Sequence, residues 1–302
     1  MLKKYIVSKD YHASRFDRWF KHNIRNIPQS LIEKLLRKKN IKINNKKVKT
    51  SYRVQFNDVV EIYGLEKLKD NQKKSNIKYK PTEKEKTYYD EFTLENNENF
   101  IVINKPVGIP VQGGTKSFKN IIDILKDTKY FNSSKPFIVH RLDKETSGVM
   151  IIAKNREYAQ LFTSLFRIRK IHKTYLAITH GQFDKKVKLL KNDLITYEKN
   201  KKIVQKAITY VRVLKSNNLY SLLELKPITG RKHQLRKQLH FIGHPVVGDD
   251  KYFLKIEKNK NKNKNLMLHA YKIKFMLNNK KFNYEAKYSI FFEKFLNKNL
   301  KS

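Results

Sequence analysis

No cysteine occurs in the 302 residues, which excludes thiol nucleophiles, disulfide frameworks and cysteine-ligated zinc in one stroke. Long apolar runs are also missing. Met1 to His12 contains no apolar core of the ~7 to 15 residues a secretory signal needs, and nowhere does a run approach the ~18 of a membrane span. The expectation is a chain neither exported by that route nor embedded in a bilayer, compatible with the cytoplasm. Carboxylates are scarce: 27 Asp plus Glu stand against 67 Lys plus Arg, a formal charge of +40. Such a surplus repels itself unless an anionic partner neutralises part of it, and nucleic acid is the obvious partner. Part of the excess reflects codon bias, since Lys, Asn, Ile, Tyr and Phe are inflated together and 258–265 is a Lys-Asn alternation. The sign of the charge therefore carries more than its size.

The length suits about two domains. From Ala13 to Ile62 the pattern reads as two short helices followed by strands. Ser14 and Asp17 have capping-box spacing, and Phe16, Trp19, Phe20 and Ile24 recur at helical intervals. A second helix begins near Pro28, carries Leu31, Ile32, Leu35 and Leu36 on one side, and is expected to stop at a left-handed Asn40. Ile41-Lys42-Ile43, the turn pair Asn44-Asn45 and the β-prone 54–62 follow. Arg37, Lys38, Lys39, Lys42, Lys46, Lys47 and Lys49 gather where the second helix meets this turn. They read either as an RNA-phosphate surface or as a solvated basic face. Residues 64–89 lose apolar periodicity and read as a polar linker.

A second domain is expected over 90–300. Strand-like runs lie at 100–103, 137–139, 149–153, 173–178, 207–214, 219–225 and 267–275, and helical patterns at 121–125, 156–167, 231–242 and 291–296. Many strands, few helices and no regular βαβ alternation predict an α+β domain with a mainly antiparallel mixed sheet.

The chemistry concentrates in His140-Arg141-Leu142-Asp143-Lys144-Glu145-Thr146-Ser147-Gly148, turn-forming residues that lead into the apolar strand Val149 to Ala153. Asp143 would sit in a loop held against a sheet, a common place for a functional group. The plain alternative is an aspartate that caps a turn and pairs with Arg141 or Lys144. Further segments stand out. Asn104-Lys105-Pro106-Val107-Gly108 follows a strand; Lys105 there either approaches a phosphate or belongs to an ordinary strand exit. Lys173 to Ile178 carries Tyr175, one of 17 tyrosines and on its own compatible with a core residue. Pro227-Ile228-Thr229-Gly230-Arg231-Lys232-His233-Gln234-Leu235-Arg236 precedes Gly243-His244-Pro245-Val246-Val247-Gly248-Asp249, and Leu266 to Ala270 reads as core strand. Gln112 to Ser117 fails as a Walker loop because Thr115 separates Gly114 from Lys116. His240 and His244 have zinc-like spacing, but Gly243-His244-Pro245 ends the helix and no glutamate base lies between them, so no metal site is expected.

Together these segments resemble the motifs of the RluA/RluC/RluD family of pseudouridine synthases, and the N-terminal pattern resembles the S4 RNA-binding fold. The resemblance runs from Ala13 to Ala270, and the Gly113-Gly114 segment leans it toward the RluC type. It implies isomerisation of specific uridines in bacterial 23S ribosomal RNA, met as the RNA itself or in large-subunit assembly intermediates, by a monomer that needs no cofactor. Asp143 would be the essential residue, Arg141 the side chain that fills the gap left by a flipped base, Tyr175 the stacking residue with a phenolic oxygen, and Arg236 the ion-pair partner of Asp143, since a guanidinium within ~4 to 6 Å favours the charged carboxylate. Asp143 could attack C1′, attack C6 or act as a base. Two other readings stay open: a non-catalytic RNA chaperone or ribosome-assembly factor using the same basic surfaces, and a synthase of the same chemistry acting on tRNA or on other 23S rRNA sites, as the RluD type does.

Overall fold

The computed structural model describes residues 2–67, 82, 91–113, 119–131, 135–198, 201–253 and 265–300. The chain divides into two compact units, 1–78 and 79–302. Most of the polar linker, part of the Gln112 to Ser117 segment and all of the Lys-Asn alternation but Asn265 lie outside the described residues.

The first unit runs β1 (Leu2–Ile6), β2 (Ser14–Arg15), α1 (Phe16–Asn23), α2 (Gln29–Arg37), β3 (Ile41–Ile43), β4 (Arg53–Val54) and β5 (Val59–Tyr63). β5 is central, with β1 and β3 antiparallel on its two sides. The expected helices are present because their apolar positions converge: Phe16, Trp19, Phe20, Ile32, Leu35 and Leu36 are buried against Val60 and Ile62. The strand ahead of Ala13 was not anticipated; Val7, which follows it, is fully buried.

Two local readings are corrected. There is no capping box at Ser14, whose hydroxyl donates to the Tyr11 carbonyl while Asp17 accepts from Arg15 and Gln29. α2 ends one residue early, with Lys39 rather than Asn40 in the left-handed region at φ 61. The Asn44-Asn45 turn stands as read, both residues having positive φ. Asp58, 5% exposed, ties it down by accepting from the Asn44 amide, the Tyr52 hydroxyl and the Gln55 N–H.

The second unit runs β6 (Thr93–Asn96), β7 (Phe100–Lys105), α3 (Ile121–Lys126), β8 (Phe137–Ile138), β9 (Ser147–Ala153), α4 (Arg156–Arg167), β10 (His172–His180), β11 (Leu189–Glu198), β12 (Lys201–Ser216), β13 (Tyr220–Pro227), α5 (Gln234–Phe241), β14 (Leu268–Leu277), β15 (Lys280–Glu285) and α6 (Ile290–Asn299). One ten-stranded sheet dominates, in the order β11-β12-β13-β10-β14-β9-β7-β6, with β15 beside β14 and β8 beside β9. Neighbouring strands of this sheet are antiparallel except β9 and β14, so the mainly antiparallel mixed sheet is as expected.

β14 joins two halves that are each continuous in sequence, β6 to β9 and β10 to β13. Its ladder with β9 is short, His269 opposite Ser147 and Ala270 opposite Gly148. Gly148 permits it: φ is +113, and a Cβ there would lie 2.2 Å from the Ala270 carbonyl oxygen. β9 is buried at every residue, as a continuous apolar strand in mid-sheet must be.

Candidate active site

The loop before β9 is fixed from several directions. Leu142 is 8% exposed and anchors it in the core. The Thr146 N–H donates to the Asp143 carbonyl, closing a turn, and the Lys144 carbonyl accepts from the Gly108 N–H. His140 Nε2 accepts from the Ile151 N–H at 2.8 Å while its ring stacks on Phe166. Burial and then the charge of Lys173 push His140 down to about 3, so the ring is neutral and its remaining proton sits on Nδ1. Ser147 donates to His269 Nδ1, and His269 Nε2 donates to the Ala286 carbonyl, pinning the loop's exit to β14.

Lys105 belongs to this scaffold. The idea that it approaches a phosphate is corrected: it is fully buried, and its ammonium donates to the carbonyls of Pro106, Ile109 and Lys144. Three acceptors satisfy its three donors, and they tie the loop after β7 to the loop that carries Asp143. Burial lowers its pKa to about 7, against the pull of Glu145 and Asp143.

Asp143 emerges from this frame with its side chain 29% exposed. Arg236, on the packed side of α5, reaches it: Nη1 lies 3.4 Å from Asp143 Oδ2. The same guanidinium is held much more tightly by Asp249, which accepts from Nε at 2.7 Å and Nη2 at 2.6 Å and is fully buried. Asp249 also accepts from the N–H groups of Lys251 and Tyr252. The guanidinium lies 5.2 Å over the Tyr252 ring. His233 Nε2 stands 3.6 Å from the other Asp143 oxygen, Oδ1.

Tyr175 lies on β10 where the pairing with β14 slips, Thr174 facing Lys272 and Leu176 facing His269. Such irregularities re-aim a side chain beside a site. Its half-buried ring touches the cores of both halves of the sheet. Burial raises the phenol's pKa and the Asp143 charge raises it further, so the phenol keeps its proton. Beside Tyr252 opens a cleft of about 430 Å³ lined by Ile195, Thr196, Gln205, Lys232, Lys237, Lys251 and Tyr252.

The arrangement is one partly exposed carboxylate, paired with the Arg236 guanidinium and faced by the His233 imidazole, with a protonated phenol nearby. The RNA pseudouridylate synthase family profile matches residues 99–241, and the S4 domain profile matches 25–60. The ribosomal large subunit pseudouridine synthase C of Rickettsia felis is 36% identical to this chain over 93% of it and 95% of the relative. That of Buchnera aphidicola subsp. Schizaphis graminum is 31% identical over 96% and 95%. The chain belongs to the RNA pseudouridine synthase family. The solved human RNA pseudouridylate synthase domain containing 4 superposes with a TM-score of 0.59 at 30% identity, over 70% of this chain and 94% of that one.

In this pseudouridine synthase the structure brings Asp143, Tyr175 and Arg236 together from three parts of the sequence. Arg141 is exposed on the same loop. In the S4 unit Arg37, Lys38, Lys39, Lys46, Lys47 and Lys49 are exposed around the end of α2 and the β3 turn, and the half-buried Lys42 lies 5.9 Å over the Tyr63 ring. Sequence reasoning passed over Asp249, Tyr252 and His233. Asp249 and His233 stood inside recognised motifs, but nothing in a linear spacing says that one grips Arg236 and the other faces Asp143. Among the described residues no cluster of three or more His, Asp or Glu has metal-ligating proximity, and no helix is long and apolar enough to cross a membrane.

Proposed function

We propose that the enzyme isomerises specific uridines of 23S ribosomal RNA, with Asp143 as its catalytic carboxylate, acting as a monomer in the cytoplasm. The observation that supports this best is Asp143 itself: a partly exposed carboxylate on a loop fixed by buried hydrogen bonds, facing a guanidinium that is anchored elsewhere. Relatives that carry the name of large-subunit synthases over nearly the whole chain support the choice of RNA.

The reaction breaks N1–C1′, turns the uracil, forms C5–C1′, releases the proton on C5 and returns one to N1. Nothing is consumed, so no cofactor is called for. A stacked base cannot present C1′ or C6 to a carboxylate, so the nucleotide is flipped at a cost of a few kcal/mol; Arg141 fills the gap it leaves. Tyr175 stacks on the flipped uracil and offers its hydroxyl to the migrating proton. Arg236 stabilises the Asp143 charge, whichever of C1′, C6 or the ribose that charge acts on. The cations of the S4 unit hold RNA through phosphates, independent of sequence.

The test is pseudouridine mapping of total RNA, rRNA and tRNA together, from cells with and without the gene, complemented by wild type or Asp143→Asn. Wild type restores a defined set of large-subunit pseudouridines and Asp143→Asn does not. Restoration by Asp143→Asn, or changes confined to tRNA, would reject the proposal.

A further inference from the structure

His233 occupies the N-cap of α5, a position where Ser, Thr, Asp or Asn normally receives a helix N–H from an extended backbone. Here the backbone is left-handed, φ 54 and ψ 31, and the side chain makes no capping bond. Strained conformations of this kind persist where the surrounding structure enforces them, often at functional sites. The strain turns the imidazole away from the helix and toward Asp143. Its Nε2 lies 3.6 Å from Asp143 Oδ1, while Arg236 Nη1 lies 3.4 Å from Oδ2. Its Nδ1 lies 3.0 Å from the Tyr252 hydroxyl, and the two rings meet edge to face.

We infer that His233 is a positioning residue for Asp143: the Tyr252 hydroxyl donates to Nδ1, which leaves the proton on Nε2, and that N–H orients Oδ1 while Arg236 orients Oδ2. This rests on Asp143 being the catalytic carboxylate. The charged and titratable groups around the ring are Asp143, Arg236, Lys232, Lys251 and Tyr252. Burial, with Arg236, Lys251 and Lys232, lowers the imidazole pKa against the opposing pull of Asp143. Neutrality matters chemically. An imidazolium would pair with the carboxylate and blunt it, whereas a neutral N–H fixes its direction and leaves its charge in place.

Two substitutions in the full-length enzyme separate this role from a structural one. Asn tolerates the left-handed backbone; its amide reaches where Nδ1 stands, keeping the Tyr252 contact but falling short of Asp143. Gln extends an amide to where Nε2 stands. In single-turnover isomerisation of an rRNA fragment, His233→Gln is expected to stay within a few-fold of wild type. His233→Asn is expected to lose on the order of 100-fold, the scale set by a small misplacement of a reacting group, with RNA affinity unchanged in both. Equal rates for the two variants, whether both kept or both lost, overturn the inference, as does affinity lost in step with rate. Tyr252→Phe leaves a ring beneath Arg236 without the hydroxyl, and the ¹⁵N shifts of the His233 imidazole should move toward a tautomer mixture; unmoved shifts overturn the tautomer assignment. Asp143→Asn run alongside keeps the two readings apart, because activity in that variant rejects the site itself, whereas an inactive Asp143→Asn with equal Asn and Gln rates at 233 rejects only His233.

Discussion

Arg236 contacts three carboxylates, the exposed Asp250 at 3.3 Å and, in very different settings, Asp249 and Asp143, and the contrast between the last two predicts very different effects of deleting them. Asp249 is fully buried and bonded to the guanidinium at 2.6 and 2.7 Å. Asp143 is 29% exposed and stands at 3.4 Å. Asp249→Ala leaves a guanidinium that is 6% exposed without its anchor; breaking a buried pair in this way costs about 3 to 5 kcal/mol. Asp143→Ala removes a long, partly solvated contact, with an effect of about 1 kcal/mol or less. For a unit of this size each kcal/mol shifts Tm by roughly 2 to 4 °C, so Asp249→Ala should lower it by about 6 to 20 °C and Asp143→Ala by no more than about 4 °C. Calorimetry of the full-length protein without RNA reads both. Adding Arg236→Met to Asp249→Ala should recover part of the loss, because the stranded charge goes with it. Equal shifts for the two aspartates, or no recovery in the double variant, would refute the view that Asp249 anchors the arginine.

Tyr175→Phe keeps the stacking face and removes the hydroxyl, so RNA affinity should stay near normal while product disappears; tritium released from C5-labelled uridine and filter binding give the two readings, and affinity lost with activity would make Tyr175 structural. Replacing Arg37, Lys38 and Lys39 by Ala should make the fall of RNA affinity with salt shallower, by ~0.7 to 0.9 in logarithmic slope for each lost phosphate contact, without changing which uridine is modified; an unchanged slope returns the cluster to a solvated face. Gly148→Ala places a Cβ 2.2 Å from the Ala270 carbonyl oxygen at φ +113 and should destabilise the fold by more than about 1 to 3 kcal/mol, read by urea denaturation. His140 and His269 are held neutral by burial, at about 3 and about 4. The unfolded chain binds protons there that the folded chain refuses, so stability should fall as pH drops from the ordinary histidine value near 6.5 toward 4 and below. His269→Gln should flatten that slope in denaturation midpoints taken across the range.

Legibility in the sequence followed the physics of each element. α4 was read at its true bounds, Arg156 and Arg167, because its apolar positions keep helical spacing throughout; the structure adds that the Asn155 side chain caps the first turn. Central strands were read from apolar runs that need no partner to be recognised. β6, β11 and β15 were missed: β11, with Lys191, Asn192 and Asp193, is a polar edge strand held by its ladder to β12 rather than by composition. α5 was placed from Arg231 but begins at Gln234, since the left-handed His233 interrupts it. In the site, Asp143, Tyr175 and Arg236 were singled out through the resemblance of their motifs to those of a known family, and the structure brings the three together. The grip of Asp249, the facing imidazole of His233 and the inward turn of Lys105 are three-dimensional facts; a lysine written before Pro106 looks the same whether it meets water or three carbonyls.

The place of β14 bears on how the enzyme comes into being. Asp143 belongs to the half built from β6 to β9, and Tyr175, His233, Arg236 and Asp249 to the residues that follow it, while the strand that bonds to both halves starts only at Leu268. A ribosome making this chain has therefore finished every reactive side chain well before it supplies the piece that aligns them. Contacts so distant in sequence form late and slowly, and through that interval the nascent chain holds a carboxylate with no fixed counterpart. The site is therefore drawn together only after the segment that begins at Leu268 has been made and has paired with both halves.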